Sequence, residues 1–213
     1  MTLDKRPQED LSVLMKEITA SSPGGKEQLL EQGIFLLTDQ IEASSVDEII
    51  TGLLSLHYKK SFQESVQIII NSSGGSCDAG WALIDIIDYI RLPVITVALG
   101  CIASMAHMIF IAGDRRIMSA NTVAMQHHHW NIIGGSFPDL LAAQKGEQLE
   151  YNRGIKHLIR FSKYETETQI RKHILKDQDH WMSPKEMKKH GMCDIIVDPR
   201  QRNVKLPPKK KIF

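Results

Sequence analysis

The sequence predicts an α/β protein built around a largely parallel sheet. Apolar, β-branched runs at residues 66–70 and 94–99 have the composition of buried strands. Between them, residues 79–90 repeat apolar side chains at helical spacing. Two glycine- and serine-containing segments, residues 71–76 and 100–105, each follow one of these runs. Because strands alternate with helices, successive strands are expected to be parallel.

The remaining elements follow from the same two patterns. Strands are predicted from short apolar runs at residues 34–37, 66–70, 94–99, 116–118, 123–126 and 195–197. Helices are predicted from apolar periodicity at residues 46–54, 79–90, 104–112, 139–161 and 165–175. Asp78 is expected to cap the second of these helices. Ser183 and Glu186 form a capping box that predicts a further helix, ended by Gly191.

Length and composition suggest one folded domain with two polar ends. The chain has 213 residues, of which 42% are hydrophobic and 24% charged, as in ordinary globular proteins. Residues 1–28 are a polar N-terminal segment, and residues 21–25 (Ser-Ser-Pro-Gly-Gly) are expected to form a linker or turn. Residues 29–200 are expected to form the domain, and residues 201–213 a basic, flexible tail.

Charge and cysteine content exclude several classes of function. The net charge of +1 does not favour nucleic acid or an anionic membrane as a partner. Cys77, Cys101 and Cys193 are an odd number without metal-ligand spacing, which indicates reduced thiols.

Residues 1–17 lack the apolar core of a secretion signal, and apolar stretches such as residues 105–112 are too short to span a bilayer. A cytoplasmic protein without membrane contact is expected.

The two glycine–serine segments predict a catalytic serine. A chain that leaves a strand, turns on glycine and enters a helix directs unpaired N–H groups at one point. Ser104 lies at such a helix start, where the N–H of Met105 can face a developing oxyanion. Gly75 can supply a second N–H, because it has no side chain to prevent close approach. The sequence therefore favours a serine hydrolase.

A catalytic serine also needs a base and a group that orients the base. The tract at residues 127–129 (His-His-His) follows a predicted strand and supplies a candidate base for neutral pH. Asp179 is the candidate acid, and Asp177 competes with it. A metal site in the tract is not expected, because consecutive strand residues cannot all face one ion.

Together these segments resemble the proteolytic subunit of the caseinolytic (Clp) protease, a family of serine peptidases. The resemblance covers about residues 29–197. Its motifs occur in the family's order at residues 34–41, 70–76, 100–105, 121–127 and 179–183. It implies that Ser104 is the nucleophile, His127 the general base and Asp179 the orienting carboxylate. It also implies that Gly75 and Met105 donate the N–H groups of the oxyanion hole.

The resemblance further implies a crotonase-like fold, a spiral of βαβ units with a protruding handle helix after Asp139. It implies a serine endopeptidase that cleaves unfolded polypeptides and assembles as two stacked heptameric rings. A ring-shaped AAA+ unfoldase would feed these rings. ATP would be hydrolysed by that partner only, so no cofactor is expected on this chain.

The chain departs from the family pattern at several positions, and other functions stay open. Ser73 replaces a proline, Cys101 and Ile102 replace a Gln-Ala pair, and Ala106-His107 occurs where a glycine is common. A shift of strand register would give the role of base to His129 instead of His127. One alternative is a catalytically silent ring subunit. Another is a crotonase-type acyl-CoA enzyme, since that fold shares the paired N–H oxyanion hole.

Overall fold

The structure is a computed structural model that describes residues 23–59, 61–62, 64–129 and 131–198. The predictions for residues 1–22 and for the tail at 201–213 lie outside these ranges. The described strands are β1 (Ile34–Leu37), β2 (Val66–Ser72), β3 (Val94–Ala103), β4 (Arg115–Ser119), β5 (Val123–Gln126), β6 (His180–Met182) and β7 (Ile195–Val197). The described helices are α1 (Pro23–Glu31), α2 (Ala43–Tyr58), α3 (Cys77–Tyr89), α4 (Met105–Ile111), α5 (Phe137–Arg160), α6 (Glu167–His173) and α7 (Pro184–Lys189).

The strands form one sheet in the order β1-β2-β3-β4-β7, and all of these neighbours are parallel. Strand β5 pairs in parallel with the end of β3, and β6 pairs antiparallel with β5. Helices connect β1 to β2, β2 to β3 and β3 to β4, so the first half of the chain is a series of βαβ units. The predicted α/β architecture with a largely parallel sheet is therefore confirmed.

The core lies between the sheet and helices α2, α3 and α4. The short helix α4 is at its centre, and all seven of its residues are buried. The inward residues of β2, Val66, Ile68 and Ile70, are inaccessible to solvent. Burial on this scale stabilises the fold by roughly 25 cal/mol per Å² of apolar surface removed from water. Helix α4 therefore begins at a fixed position, directly after Ser104.

A bulge in β3 changes the direction of the second half of that strand. Ile70 pairs with Ala98, whereas Ser72 pairs with Ile102, so residues 99–101 face Asn71 alone. Gly100 adopts φ 62°, and the Asn71 side chain accepts a hydrogen bond from the Cys101 N–H at 3.1 Å. The strand was predicted to end at residue 99. It instead bends there and continues to Ala103, because the bulge moves its second half from β4 to β5.

Two other local predictions are wrong. Residues 23–25 were expected in a turn, but they begin α1, because proline suits the first helical position and Leu30 packs on the core. Helix α1 thus crosses the predicted boundary at residue 28. The cap of α3 is Ser76, whose hydroxyl accepts from the Ala79 N–H at 3.3 Å, and not Asp78. A serine one residue before the helix can reach that N–H, whereas Asp78 already lies inside the first turn.

Helix α5 projects from the domain. It has 24 residues, which corresponds to about 36 Å. Its buried residues, Ile155, His157 and Leu158, all lie in its last third. The first half carries exposed apolar side chains, among them Phe137, which is 73% exposed. Within the described ranges, no helix combines the length and apolar character needed to cross a membrane.

Candidate active site

The two glycine–serine segments, residues 71–76 and 100–105, each bend the chain after a strand, and these two bends lie against each other. A methyl group placed on Gly74 would come within 2.9 Å of Ser104 Cβ and 3.1 Å of the Met105 nitrogen. The first bend is held by Ile41, whose N–H donates to Gly74 O at 2.8 Å and whose carbonyl accepts from the Ser76 N–H at 2.7 Å. Gly74 and Gly75 adopt φ values of 98° and 148°, which favour glycine. Residues far apart in sequence thus converge on Ser104.

Ser104 occupies a strained turn between β3 and α4. Its φ of 55° and ψ of −122° are unfavourable for a residue with a side chain. Among the described residues it is the only non-glycine with positive φ. Such a conformation costs about 1–3 kcal/mol and persists where the surroundings impose it. Here the Ser104 N–H donates to Met125 O at 2.8 Å, and the buried helix α4 fixes the other side.

Two backbone N–H groups beside Ser104 are free to bind an anion. Met105 is the first residue of α4, so no carbonyl of that helix can accept its N–H. The carbonyl of Gly74 and the N–H of Ser76 bond to Ile41, which leaves the intervening Gly75 N–H unused. Within the described part of the chain, neither N–H has an acceptor. A tetrahedral oxyanion formed at the serine could accept from both.

His127 is the histidine of the tract that faces Ser104. Its Nε2 lies 2.8 Å from the Ser104 hydroxyl oxygen. His128 stacks on Tyr151, with the ring centres 6.3 Å apart. His129 bonds through Nε2 to a Glu147 carboxylate oxygen at 2.6 Å, so it lies with α5 instead of the serine. The register that would bring His129 to Ser104 does not occur.

Strand β6 brings Asp179 near His127. Gln126 pairs with His180 in the antiparallel β5–β6 ladder, and extending this register by one residue places Asp179 opposite His127. The distance from Asp179 Oδ1 to His127 Nδ1 is 3.7 Å. Asp177 lies two residues earlier, outside β6, and has no such contact with His127. The strand itself was not predicted, because three residues carry too little pattern.

A pocket lies beside Ser104, and part of its lining is apolar. The apolar side chains that line it include Met108 of α4, Ile155 and Leu158 of α5, and Leu175 after α6. Cys77 also lines this pocket, and burial raises the pKa of its thiol. A thiol with a raised pKa is a poor nucleophile at neutral pH, so Ser104 is the stronger candidate. The sequence showed these apolar positions but not that they meet at the serine.

The described residues contain no group of three or more histidine, cysteine or acidic side chains arranged to hold a metal ion. The groups that meet at Ser104 are its hydroxyl, the His127 imidazole and the backbone N–H groups of Gly75 and Met105. A serine on a strained strand–helix turn, a hydrogen-bonded histidine and two free N–H groups form the arrangement of a serine hydrolase.

Comparison with known proteins identifies the family within that class. The sequence profile of the family described as Clp protease matches residues 22–200. A relative from Deinococcus radiodurans, named ATP-dependent Clp protease proteolytic subunit, is 30% identical over 83% of this chain and 85% of its own length. A relative of the same name from Streptococcus mutans is 30% identical over 80% of this chain and 87% of its own. One from Lactococcus lactis, also so named, is 28% identical over 80% and 86%.

The chain belongs to the Clp protease family. The resemblance predicted from the five motifs is thereby confirmed, and with it the crotonase-like α/β fold and the class of serine-type peptidase.

Proposed function

We propose that this chain is the proteolytic subunit of a Clp-type ATP-dependent protease and cleaves unfolded polypeptides through an acyl-enzyme on Ser104. The observation that carries the proposal is the 2.8 Å contact between the Ser104 hydroxyl and His127 Nε2, next to two free N–H groups. The names of the relatives supply the biological context. The alternative of an acyl-CoA enzyme has no comparable support, because it needs no such serine–histidine pair.

In the proposed reaction, Ser104 Oγ attacks the carbonyl carbon of the peptide bond while His127 Nε2 accepts the hydroxyl proton. The carbonyl oxygen becomes negatively charged and accepts hydrogen bonds from the N–H groups of Gly75 and Met105. His127 then donates its proton to the leaving amine, which breaks the C–N bond and leaves an ester on Ser104. Water, deprotonated by His127, hydrolyses that ester and regenerates the hydroxyl.

Asp179 orients the imidazole in this proposal. Its negative charge favours a proton on Nδ1, which leaves Nε2 free to accept the serine proton. At 3.7 Å the contact is longer than a hydrogen bond. Catalytic hydrogen bonds commonly shorten when substrate binds, so this distance is compatible with the role.

The same proposal includes two stacked heptameric rings, an AAA+ unfoldase that hydrolyses ATP, and action in the cytoplasm. Relatives named as subunits of an ATP-dependent protease support an assembly of several chains. The first half of α5 carries exposed apolar side chains, including Phe137, Leu140 and Leu141, which a second copy could cover. The chain itself is proposed to need no cofactor.

A fluorophosphonate probe tests the proposal directly, because it labels only activated serines. The wild-type protein should be labelled, Ser104→Ala should not, and Ser73→Ala should be labelled as wild type. Ser73 is a matched control, since it is exposed and lies in the neighbouring bend. Equal labelling of wild type and Ser104→Ala would exclude Ser104 as the nucleophile. A folded wild type that neither reacts nor cleaves an unfolded substrate would instead indicate a silent subunit.

A further inference from the structure

A buried polar pair connects the segment of the proposed nucleophile to the segment of the proposed base. His107 is wholly inaccessible to solvent, and Gln126 is nearly so. His107 Nδ1 lies 2.7 Å from Gln126 Oε1. His107 is in the first turn of α4, three residues after Ser104, and Gln126 is the last residue of β5, directly before His127. The pair therefore spans the two elements whose spacing sets the serine–histidine distance.

The direction of the hydrogen bonds follows from the groups present. Gln126 Nε2 donates to the backbone carbonyl of His127 at 3.2 Å, so its Oε1 must be the atom that faces His107. His107 Nδ1 must then carry the proton, because Oε1 can only accept. The result is a chain of two hydrogen bonds that runs from helix α4 through the Gln126 amide to the peptide group of His127.

This chain acts where the sheet no longer holds the backbone. β5 ends at Gln126, and the last pair of its ladder with β6 is Gln126 with His180. His127 lies one residue past the end of the strand. Its carbonyl is instead held by the Gln126 amide, and that amide is in turn held by His107. The peptide that carries the imidazole is thus fixed relative to the helix that carries Ser104.

Packing alone does not explain this pair, because burying it destabilises the fold. His107 Nε2 is buried without a hydrogen-bond partner in the described part of the chain. Burial lowers the pKa of His107 to about 4, so the ring is neutral at physiological pH. An unpaired buried polar atom is destabilising, and a pair of apolar residues of the same shape would avoid it. A geometric role therefore explains the pair better than packing does.

We propose that His107 and Gln126 are positioning residues that hold His127 Nε2 at hydrogen-bonding distance from the Ser104 hydroxyl. This inference rests on the proposed function of Ser104 and His127. Neither residue touches the reacting atoms. Their effect is on the fraction of molecules in which the base is aligned, so it should appear in kcat and in serine reactivity and much less in KM.

The decisive variant combines His107→Leu with Gln126→Met. Removing both partners eliminates the buried unpaired His107 Nε2 and deprives only the His127 carbonyl of its donor, so this double variant should fold and assemble as wild type does. Its kcat for a fluorogenic peptide should fall by about 10- to 100-fold with KM little changed. The rate of fluorophosphonate labelling should fall by a similar factor. His107→Asn keeps a donor at the place of Nδ1 and should recover most of the activity that His107→Leu loses.

Thr96→Val is the matched control. The Thr96 hydroxyl is equally buried and donates at 2.7 Å to Phe110 O, near the other end of α4. Its loss should reduce the stability of the protein without reducing kcat. If Thr96→Val lowered kcat as much as the double variant does, the effect would be a general weakening of α4 and the inference would be wrong.

The remaining outcomes separate this inference from the proposed function. If wild type is not labelled at Ser104, the proposed function fails. If wild type is labelled and the folded double variant reacts at the same rate, only the positioning role fails. Should the double variant not fold, Gln126→Glu decides, because it keeps the acceptor for His107 and removes the donor to His127 O. Wild-type kcat in that variant would overturn the inference.

Discussion

The carboxylate of Asp179 lies 3.7 Å from His127 Nδ1, whereas the Ser104 hydroxyl lies 2.8 Å from Nε2 of the same ring. The imidazole is therefore held firmly on the serine side and loosely on the acid side. Asp179 is also 59% exposed, while His127 is 24% exposed. Water competes for an exposed carboxylate, so its influence on the ring is weaker than that of a buried acid.

This asymmetry predicts a graded effect of substitution. Asp179→Asn should lower kcat by about 10²- to 10⁴-fold, because an amide can donate to Nδ1 and so favour the unproductive tautomer. Ser104→Ala should instead abolish the acyl-enzyme. Asp177→Asn is the matched control and should leave kcat nearly unchanged. Steady-state cleavage of a fluorogenic peptide measures all three. A larger loss for Asp177→Asn than for Asp179→Asn would assign the acid to residue 177.

The separate contacts of the histidine tract predict separate effects. His127→Ala should lower kcat by about 10⁴- to 10⁶-fold, since no other imidazole among the described residues is hydrogen-bonded to the Ser104 hydroxyl. His129→Ala removes only the contact with Glu147, so Ser104 should still react with a fluorophosphonate. The labelling rates of the two variants decide between them. The opposite result, in which His129→Ala prevents labelling and His127→Ala does not, would mean that His129 is the base.

For elements that depend only on local sequence pattern, the first and last residues could be predicted correctly. Strands β1, β5 and β7 have the predicted bounds, because short apolar runs flanked by turn residues identify them. The proximity of Ser104 and the glycine bend also followed from sequence. Both come directly after strands that are neighbours in a parallel sheet, and such strands end at the same edge.

Features that depend on distant contacts were not predicted. The bulge in β3 requires the Asn71 side chain, 30 residues before the N–H that it binds. Strand β6 has no pattern of its own and exists because it pairs with β5. His107 was noted only as a departure from the family. Its partner Gln126 is 19 residues away, and no spacing rule connects a helix residue to a strand residue.

The contact between the two bends predicts that Gly74 tolerates no side chain. A methyl group there would lie 2.7 Å from Ala103 O and 2.9 Å from Ser104 Cβ, at a φ of 98°. Gly74→Ala should therefore push the bend that carries Gly75 away from Ser104 and widen the pair of N–H donors. Losing one oxyanion donor costs about 10²- to 10³-fold in kcat. Peptide cleavage by the folded variant provides the measurement.

Gly146→Ala is the control for this substitution. Gly146 lies within α5, and in the described part of the chain a methyl group added to it would meet nothing within 4 Å beyond the adjacent backbone of its own helix. Alanine is the better helix former, so this variant should be more stable by about 0.5–1 kcal/mol. Thermal unfolding measures the difference. Full kcat in a folded Gly74→Ala protein would show that the bends can separate without loss of the oxyanion site.

Buried neutral histidines predict that stability declines in mild acid. Burial lowers the pKa of His157 to about 4, although its ring bonds to Met108 O at 2.9 Å. In the unfolded chain a histidine titrates near pH 6.5. Between about pH 6.5 and pH 4 the unfolded state therefore binds more protons than the folded state. The stabilisation is complete above pH 6.5 and is lost as the pH falls towards 4, by about 3 kcal/mol for this residue.

Unfolding by urea between about pH 7.5 and pH 4.5 tests this prediction, because the midpoint follows the free energy of unfolding. His157→Gln gives the sharpest comparison, since the glutamine amide can still donate to Met108 O but does not titrate. That variant should lose some packing against Trp81 and Phe161, which contact the ring of His157. Its midpoint should nevertheless depend less on pH than that of wild type. Glu186 does not produce the same pH dependence. Hydrogen bonds from Ser183 lower the pKa of its carboxyl group, so its stabilising effect is lost only at more acidic pH. Equal slopes for wild type and His157→Gln would mean that His157 is not a source of the acid sensitivity.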